Sequence, residues 1–322
     1  MSSPATVHVV GADGPLGRRV LARLDGRFRA VEDAAEADVI VLLGAGDHDT
    51  RARRRESVTD GAAGVLDAVG RVDVAHIILL SSAMVYGAYA NNPVPLTEDS
   101  ILRPDVEFVY ARQLAAVEAL TDQWRTSGDR RTVTVLRPAV TMAADGTSSL
   151  AAAIAAGSGQ RFGEADPPAQ FLHLDDLAAA VALAAERRLD GVYNVAPDGW
   201  IEGERVRGLT GSRPRLKLPD RIAKALAGLR WRFQRGPIPP GLWSYTRSPW
   251  VVANDRLKGE GWQPTVTNEQ AYVEGTEARW WTMISPKRRQ EISLGAMGAA
   301  GAIGALVALS SVRRWRRRAG GR

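Results

Sequence analysis

The feature that most constrains this chain stands near its start, where the β-branched run Thr6-Val7-His8-Val9-Val10 leads into GADGPLG and then into apolar residues at helical spacing, Leu16, Val20, Leu21 and Leu24. An extended run giving way to a 3.6-residue period across a glycine turn reads as strand, tight turn, helix. Gly11, Gly14 and Gly17 are spaced GxxGxxG. In that setting the first glycine permits the turn, the second lets a diphosphate approach the backbone, and the third lets the helix pack on the strand. N–H groups at the helix start then face the phosphates. A glycine-rich βα turn without a ligand is the alternative that the spacing leaves open.

The alternation continues down the chain. ADVIVLLGAG (37–46) and HIILLSS (76–82) read as strands separated by a helix over 57–69. A loop rich in Asn and Pro (90–104), a helix from Val109, and the strand TVTVLRP (132–138) follow. From about Thr141 the pattern turns to Ala-rich helices, then a short strand FLHL (171–174), a helix from Asp175 to Glu186, and VYNVA (192–196). Alternating strands and helices predict an α/β fold, a Rossmann-like doubly wound parallel sheet. After Pro197, Trp and Pro accumulate and periodicity weakens, as in a smaller loop-rich lobe. The expected division is a dinucleotide-binding domain over 1–170, to which 171–196 return, a substrate lobe over 197–286, and a tail over 287–322.

A dinucleotide also needs an acid about 20 residues past the turn to hold the ribose. Glu32 and Asp33 stand near that distance. Glu32, Leu43 and Gly44 join Gly11, Gly14 and Gly17 as candidate cofactor contacts. Only the six residues Glu32 to Ala37 separate the short run FRAV (28–31) from the next strand. If FRAV were the second strand, that link, roughly 20 Å long when extended, would have to cross the first strand and return its length. The expectation is therefore that a helix and a strand are missing on the adenosine side.

Charge and composition narrow the classes further. The chain has no cysteine, which excludes disulfides, zinc-thiolate sites, iron–sulfur clusters and cysteine nucleophiles and fits a reducing cytosol. Its four histidines are scattered, so no metal constellation is expected. The net charge is +6, but nine basic residues and one acid fall at or after Lys287, leaving the preceding body slightly acidic. That distribution argues against a nucleic-acid face. Within the tail, Ile292 to Val312 are 21 uncharged residues, enough for a helix of roughly 30 Å. Trp280 and Trp281 precede it, and Gly295, Gly298, Gly301 and Gly304 form a small-residue stripe. These predict a cytoplasmic body attached to the membrane through 292–312, with a homodimer through the small-residue face as a further expectation. A flexible extension, or a helix packed on the body, is the alternative. No signal peptide is expected, since MSSPATVHVV runs directly into a strand. The stretch 218–236 reads as a basic amphipathic helix of the small lobe, with Ile222, Leu226, Leu229 and Phe233 on one face.

In combination, GADGPLG, ADVIVLLGA, ILLSSAMVYG, YARQLAAVEAL, VLRPAV, FLHLDDLAAAV, GVYNVA and RLKGEGWQP resemble the extended short-chain dehydrogenase/reductases of the NAD-dependent epimerase/dehydratase type. The resemblance implies NAD or NADP as cofactor and a small-molecule substrate such as a nucleotide sugar. It also implies a Ser or Thr and a Tyr at the substrate oxygen, which by motif position are Ser82 and Tyr110. The family's lysine, four residues after the tyrosine, is here Leu114. An ammonium at that position shares the tyrosine's helical face, lowers the phenol pKa and binds the nicotinamide ribose, whereas leucine does neither.

Tyr110 therefore reads as catalytic or as a buried hydrogen-bonded tyrosine, and Ser82 as catalytic or as the cap of the next turn. Tyr86 packs or touches substrate. Arg137 supports the sheet end or contacts substrate, and His173, Asp175 and Asp176 read as a core histidine and helix-capping acids. The expected function is an NAD(P)-dependent oxidoreductase or epimerase-type enzyme acting on a sugar nucleotide or another hydroxyl/carbonyl substrate. The alternative is a catalytically impaired NAD(P)-binding sensor or membrane scaffold of the same fold.

Overall fold

The computed structural model describes residues 4–43, 74–158, 166–210, 219, 221–222, 224–225 and 240–276. The expected helix over 57–69, Gly44, most of 218–236 and the span 292–312 lie outside the described residues. Residues 1–277 form one compact unit and 278–322 a second. Among the described residues no helix is long and apolar enough to cross a membrane.

Along the chain run β1 (Ala5–Val10), α1 (Pro15–Leu24), β2 (Phe28–Ala30), β3 (Val39–Leu42), β4 (His76–Leu80), α2 (Val109–Thr126) and β5 (Thr132–Pro138). β6 (Val140–Met142), α3 (Ser149–Gly157), β7 (Phe171–His173), α4 (Leu174–Arg187) and β8 (Gly191–Val195) follow. α5 (Gly203–Thr210), α6 (Asp255–Gly259) and α7 (Asn268–Gly275) come last among the described residues. Six strands make one parallel sheet in the order β2-β1-β3-β4-β5-β8.

Every residue of β3 and β4 is buried, as a parallel sheet covered on both faces requires. Alternation divides the core. Val39, Val41, Ile78 and Leu80 pack with Val20 and Leu24 of α1, while Ile40, Leu42, Ile77 and Leu79 pack with Val117 and Trp124 of α2.

FRA pairs as the second strand, which the length argument disfavoured, while the expected lack of a helix and a strand on the adenosine side holds among the described residues; register explains how so short a link suffices. Val7 of β1 pairs with Ala30, near the end of β2, and also with Val39, the start of β3. β2 thus ends at the level where β3 begins. The link only steps across β1, about 10 Å for two strand spacings, and makes no return journey. Thr6 fastens it. Its N–H donates to the Asp38 carboxylate at 2.7 Å, and the Asp38 N–H donates to the Thr6 carbonyl at 3.1 Å. Hydrogen bonds from Thr6 hold the Asp38 carboxyl below its usual range. Asp33 caps the 3-10 turn Ala34–Glu36 within the link, accepting from Ala35 N at 2.9 Å. Among the described residues one strand lies beyond β1, where the usual dinucleotide-binding order has two.

Two further expectations are corrected. Thr141 lies in β6, which pairs with β7 in a separate parallel ribbon, and the Ala-rich helix begins only after the Ser148 cap, which accepts from Ala151 N at 3.1 Å. The acids of FLHLDD do not cap their helix. His173 does, accepting from Asp175 N at 3.2 Å. Asp175 instead pairs with Arg19 of α1 at 2.6 Å, and Asp176 turns inward to accept from Thr265 N and Val266 N at 3.0 Å each. Those bonds tie the approach to α7 onto the body. Gln170 does the same for the segment before α6, exchanging bonds of 2.8 and 3.0 Å with the backbone of Val252.

His76 is fully buried at the start of β4, its Nδ1 2.8 Å from Thr132 Oγ1. Burial first, and the Arg188 charge second, push its pKa down from 6.5 to about 4. The unfolded chain takes up a proton below pH 6.5 that the folded chain refuses, so this contribution is intact above pH 6.5 and is lost as the pH falls toward 4. Urea unfolding should show the native chain losing about 2 kcal/mol more than His76→Gln between pH 7.5 and 5. Parallel pH profiles for the two proteins would contradict this.

Candidate active site

The carboxyl ends of the strands carry the candidate residues. β1 ends at Val10, and Gly11 follows at φ 90°, a left-handed conformation that suits glycine. A Cβ on Gly17 would lie 2.4 Å from the Gly11 carbonyl oxygen and 2.5 Å from that of Ala12, so α1 sits against the turn at a distance only glycine allows. Gly14 is the N-cap of α1, and its N–H donates to Gly11 O at 3.3 Å. Pro15 opens the helix without an N–H, and the Arg18 N–H makes a helical bond to Gly14 O at 3.1 Å. Helix geometry therefore leaves the N–H groups of Leu16 and Gly17 free of intrahelical partners, a two-donor cradle suited to a diphosphate.

Leu43 lies buried just past β3, its N–H donating to Val10 O at 3.1 Å. Glu32 is exposed in the link beyond β2, which stops level with Val7, while Asp33 is taken up as the cap of the 3-10 turn.

β4 delivers the second group. Ser82 follows it and caps the 3-10 turn Ala83–Tyr86, accepting from Met84 N at 3.2 Å. α2 packs against that turn. Tyr110, Leu114 and Glu118 recur every four residues on one face of α2, and all three are buried. Leu114, where the family resemblance implies a lysine, is 1% exposed, and Arg112 lies on the solvent side.

Tyr110 stands edge-on to Phe108 with ring centroids 5.8 Å apart, Phe108 packs on Tyr245 at 5.5 Å, and Tyr245 meets Trp250 at 5.4 Å. This aromatic row joins the start of α2 to the segment before α6. Within it Tyr245 is fixed by a hydrogen bond from its OH to Met84 O at 2.8 Å, and burial raises its phenol pKa.

Behind this face lies a sealed polar cluster. Arg137 of β5 donates to Glu118 through Nη2 at 2.6 Å and Nε at 3.1 Å, both side chains being nearly inaccessible. Ser81 Oγ also donates to Glu118. The remaining Arg137 nitrogen, Nη1, donates to Tyr86 OH at 2.8 Å, and that hydroxyl donates to Asn194 Oδ1 of β8 at 2.8 Å. Burial, outweighing the neighbouring Arg137, raises the Tyr86 phenol pKa. Tyr86 is fully buried, so the structure places it in packing. Arg137 supports the sheet end. Sequence reasoning missed Glu118, although an acid within the buried stripe Tyr110, Leu114, Val117 and Thr121 was the available signal.

Beyond β5 a cleft opens with about 520 Å³ of empty space, part of it continuous with solvent. Val140, Phe171, Val206, Tyr245 and Trp250 line it, so the aromatic row forms part of its wall.

Comparison with known proteins agrees with this architecture. The model of the NAD dependent epimerase/dehydratase family matches residues 21–196. The uncharacterized protein Rv0501 of Mycobacterium tuberculosis is 26% identical over 286 residues, covering 85% of this chain and 75% of its own. The structure of RMD from Pseudomonas aeruginosa complexed with NADPH superposes with a TM-score of 0.60 at 18% identity, over 84% of this chain and 97% of that one. UDP-glucose 4-epimerase of Thermus thermophilus in complex with NAD gives 0.59 at 16% identity, again over 84% and 97%.

Because Glu118 and Arg137 are sealed together, removing one partner leaves a buried unpaired charge. Glu118→Ala is expected to cost about 3–5 kcal/mol, and thermal unfolding should show a correspondingly lower midpoint. A loss under about 1 kcal/mol would mean that the pair is solvated.

Proposed function

Since this chain belongs to the NAD-dependent epimerase/dehydratase family, we propose that it is an NAD- or NADP-dependent oxidoreductase or epimerase-type enzyme acting on a hydroxyl or carbonyl carbon. The observation that carries this reading is the glycine turn. Gly17 sits where no Cβ fits, and the Leu16 and Gly17 amides remain for a diphosphate. Gly11, Gly14, Gly17, Leu43, Gly44 and Glu32 are the proposed cofactor contacts. RMD and the Thermus epimerase carry NADPH and NAD respectively, which supports a nicotinamide dinucleotide in the corresponding place here. Such a group, when bound, supplies or accepts hydride.

The chain's own residues would then manage the substrate oxygen. Tyr110 holds or receives its proton, and Ser82 donates a hydrogen bond that steadies its charge. Residues 1–170 with 171–196 form the proposed cofactor-binding part and 197–286 the substrate lobe. The basic-flanked span 292–312 is the proposed membrane attachment of a cytoplasmic body, and its glycine stripe the contact of a homodimer.

A second reading has a specific observation in its favour. Leu114 fills the lysine position with a buried apolar side chain, as suits a protein that binds the dinucleotide without turning it over.

Calorimetric titration of NADH and NADPH into the full-length chain tests the first claim. Saturable binding of at least one is expected, and binding of neither removes the proposal. With a substrate panel, Tyr110→Phe should lower kcat at least about 100-fold while leaving dinucleotide affinity within about threefold. If no member of the panel is turned over by the unaltered chain while the dinucleotide still binds, the sensor reading replaces the enzyme.

A further inference from the structure

The turn that follows β6 lies against the start of α1. A Cβ on Gly146 would come 2.9 Å from Leu174 Cδ1 and 3.0 Å from Pro15 Cβ, so the turn touches the first residue of α4 and the first of α1 together. It is also closed on itself. Thr147 Oγ1 donates to the Ala143 carbonyl at 2.8 Å, and the Gly146 N–H donates to the same oxygen at 3.4 Å. The last residue of α7 packs on it as well, since a Cβ on Gly275 would lie 2.8 Å from Thr147 Oγ1. Three helices thus hold the turn beside the glycine cradle.

The acid of this turn is placed by Arg19. One guanidinium donates to Pro15 O at 3.1 Å, to Asp175 at 2.6 Å and to Asp145 at 2.6 Å. Because a guanidinium is a small rigid plane, these bonds set the Asp145 carboxylate within about 10 Å of the Leu16 N–H. The hydrogen bond from Arg19 holds the Asp145 carboxyl below its usual range, and the charges of Arg19 and Arg18 act in the same direction. Asp145 is therefore negatively charged at neutral pH. Arg19 answers two carboxylates with a single charge, next to amides that in the functional reading above receive a diphosphate. Coulomb energies add, so the sign of Asp145's effect on a bound anion does not depend on which other charges surround it.

We infer that Asp145 sets the affinity of the proposed diphosphate site by opposing the charge of the ligand, with Arg19 as its counterweight. The inference rests on the reading that the start of α1 receives a diphosphate. A carboxylate that served only to pin the turn would act the other way, because its loss would loosen the wall of the cradle. An asparagine in its place would then bind the ligand no better than the aspartate does.

The test is calorimetric titration of NADH into the full-length chain and into Asp145→Asn, at about 20 mM and about 0.5 M KCl. The substitution keeps the shape of a side chain that is 65% exposed. Asp145→Asn should bind NADH about threefold more tightly at the lower salt, and the two proteins should converge at the higher, where the screening length falls to roughly 4 Å. Arg19→Met should weaken binding about threefold, and adding Asp145→Asn to it should return the affinity to near that of the unaltered chain.

Equal or weaker binding by Asp145→Asn, or a gain that persists undiminished at the higher salt, would overturn the assignment while leaving the cofactor reading intact. A further loss in the double variant relative to Arg19→Met would do the same. Binding of NADH by neither the unaltered chain nor Asp145→Asn removes the cofactor reading and, with it, this inference.

Discussion

The ion pair between Glu118 and Arg137 holds together the end of the sheet where the candidate residues stand. Two charges so enclosed persist because they are paired and further hydrogen-bonded, with Ser81 on one flank and Tyr86 on the other. The pair joins the middle of α2 to the end of β5. It thereby fixes the helix face that bears Tyr110 and Leu114 relative to the turn that bears Ser82. Through Tyr86 the same network reaches Asn194 on β8, so the carboxyl ends of three strands are bound into one unit. Such a network is costly to leave half made and tolerates little displacement. A side chain standing on that face is consequently held in place by the core behind it and needs no support from solvent-exposed loops.

The other end of the sheet is built on register. Because β2 and β3 flank β1 at different heights and meet at the level of Val7, an eight-residue link replaces a full crossover. The consequence for a ligand is geometric. β2 stops about three residues, or roughly 10 Å, below the point where β1 enters its glycine turn. The proposed ribose-side contact at Glu32 therefore comes from the link beyond a second strand that stops short of the first. Leu114 is the second departure. With hydrocarbon in the lysine position, neither a ribose contact nor an adjacent ammonium comes from α2. Both departures bear on the proposed dinucleotide site, and neither disturbs the sheet.

How much of this could be read beforehand depended on whether the determining contacts were local. Thr132–Pro138 was legible to the residue because a β-branched run ends at a proline. α2 was expected from Val109, where it begins, and the glycine turn was read from the switch of period around it. β6 was missed because three residues give no period, and a strand of that length exists only through its partner β7. The β2–β3 link was misjudged because chain length bounds reach but says nothing of register. Glu118 was overlooked because a buried acid makes sense only once Arg137, nineteen residues away, is seen beside it. Asp175 and Asp176 carried the pattern of capping residues, yet Arg19 and the Thr265–Val266 amides outcompeted the helix end. In each case the missing information was a long-range partner.

The proposed cofactor site requires that backbone amides at the first turn grip the diphosphate of a nicotinamide dinucleotide. Amide hydrogen exchange in the full-length chain, followed with and without saturating NADH, tests it most directly. The account predicts slower exchange at Leu16 and Gly17, with the outer edge of β2 unaffected. Unchanged exchange at those two amides, with protection appearing elsewhere, would contradict it.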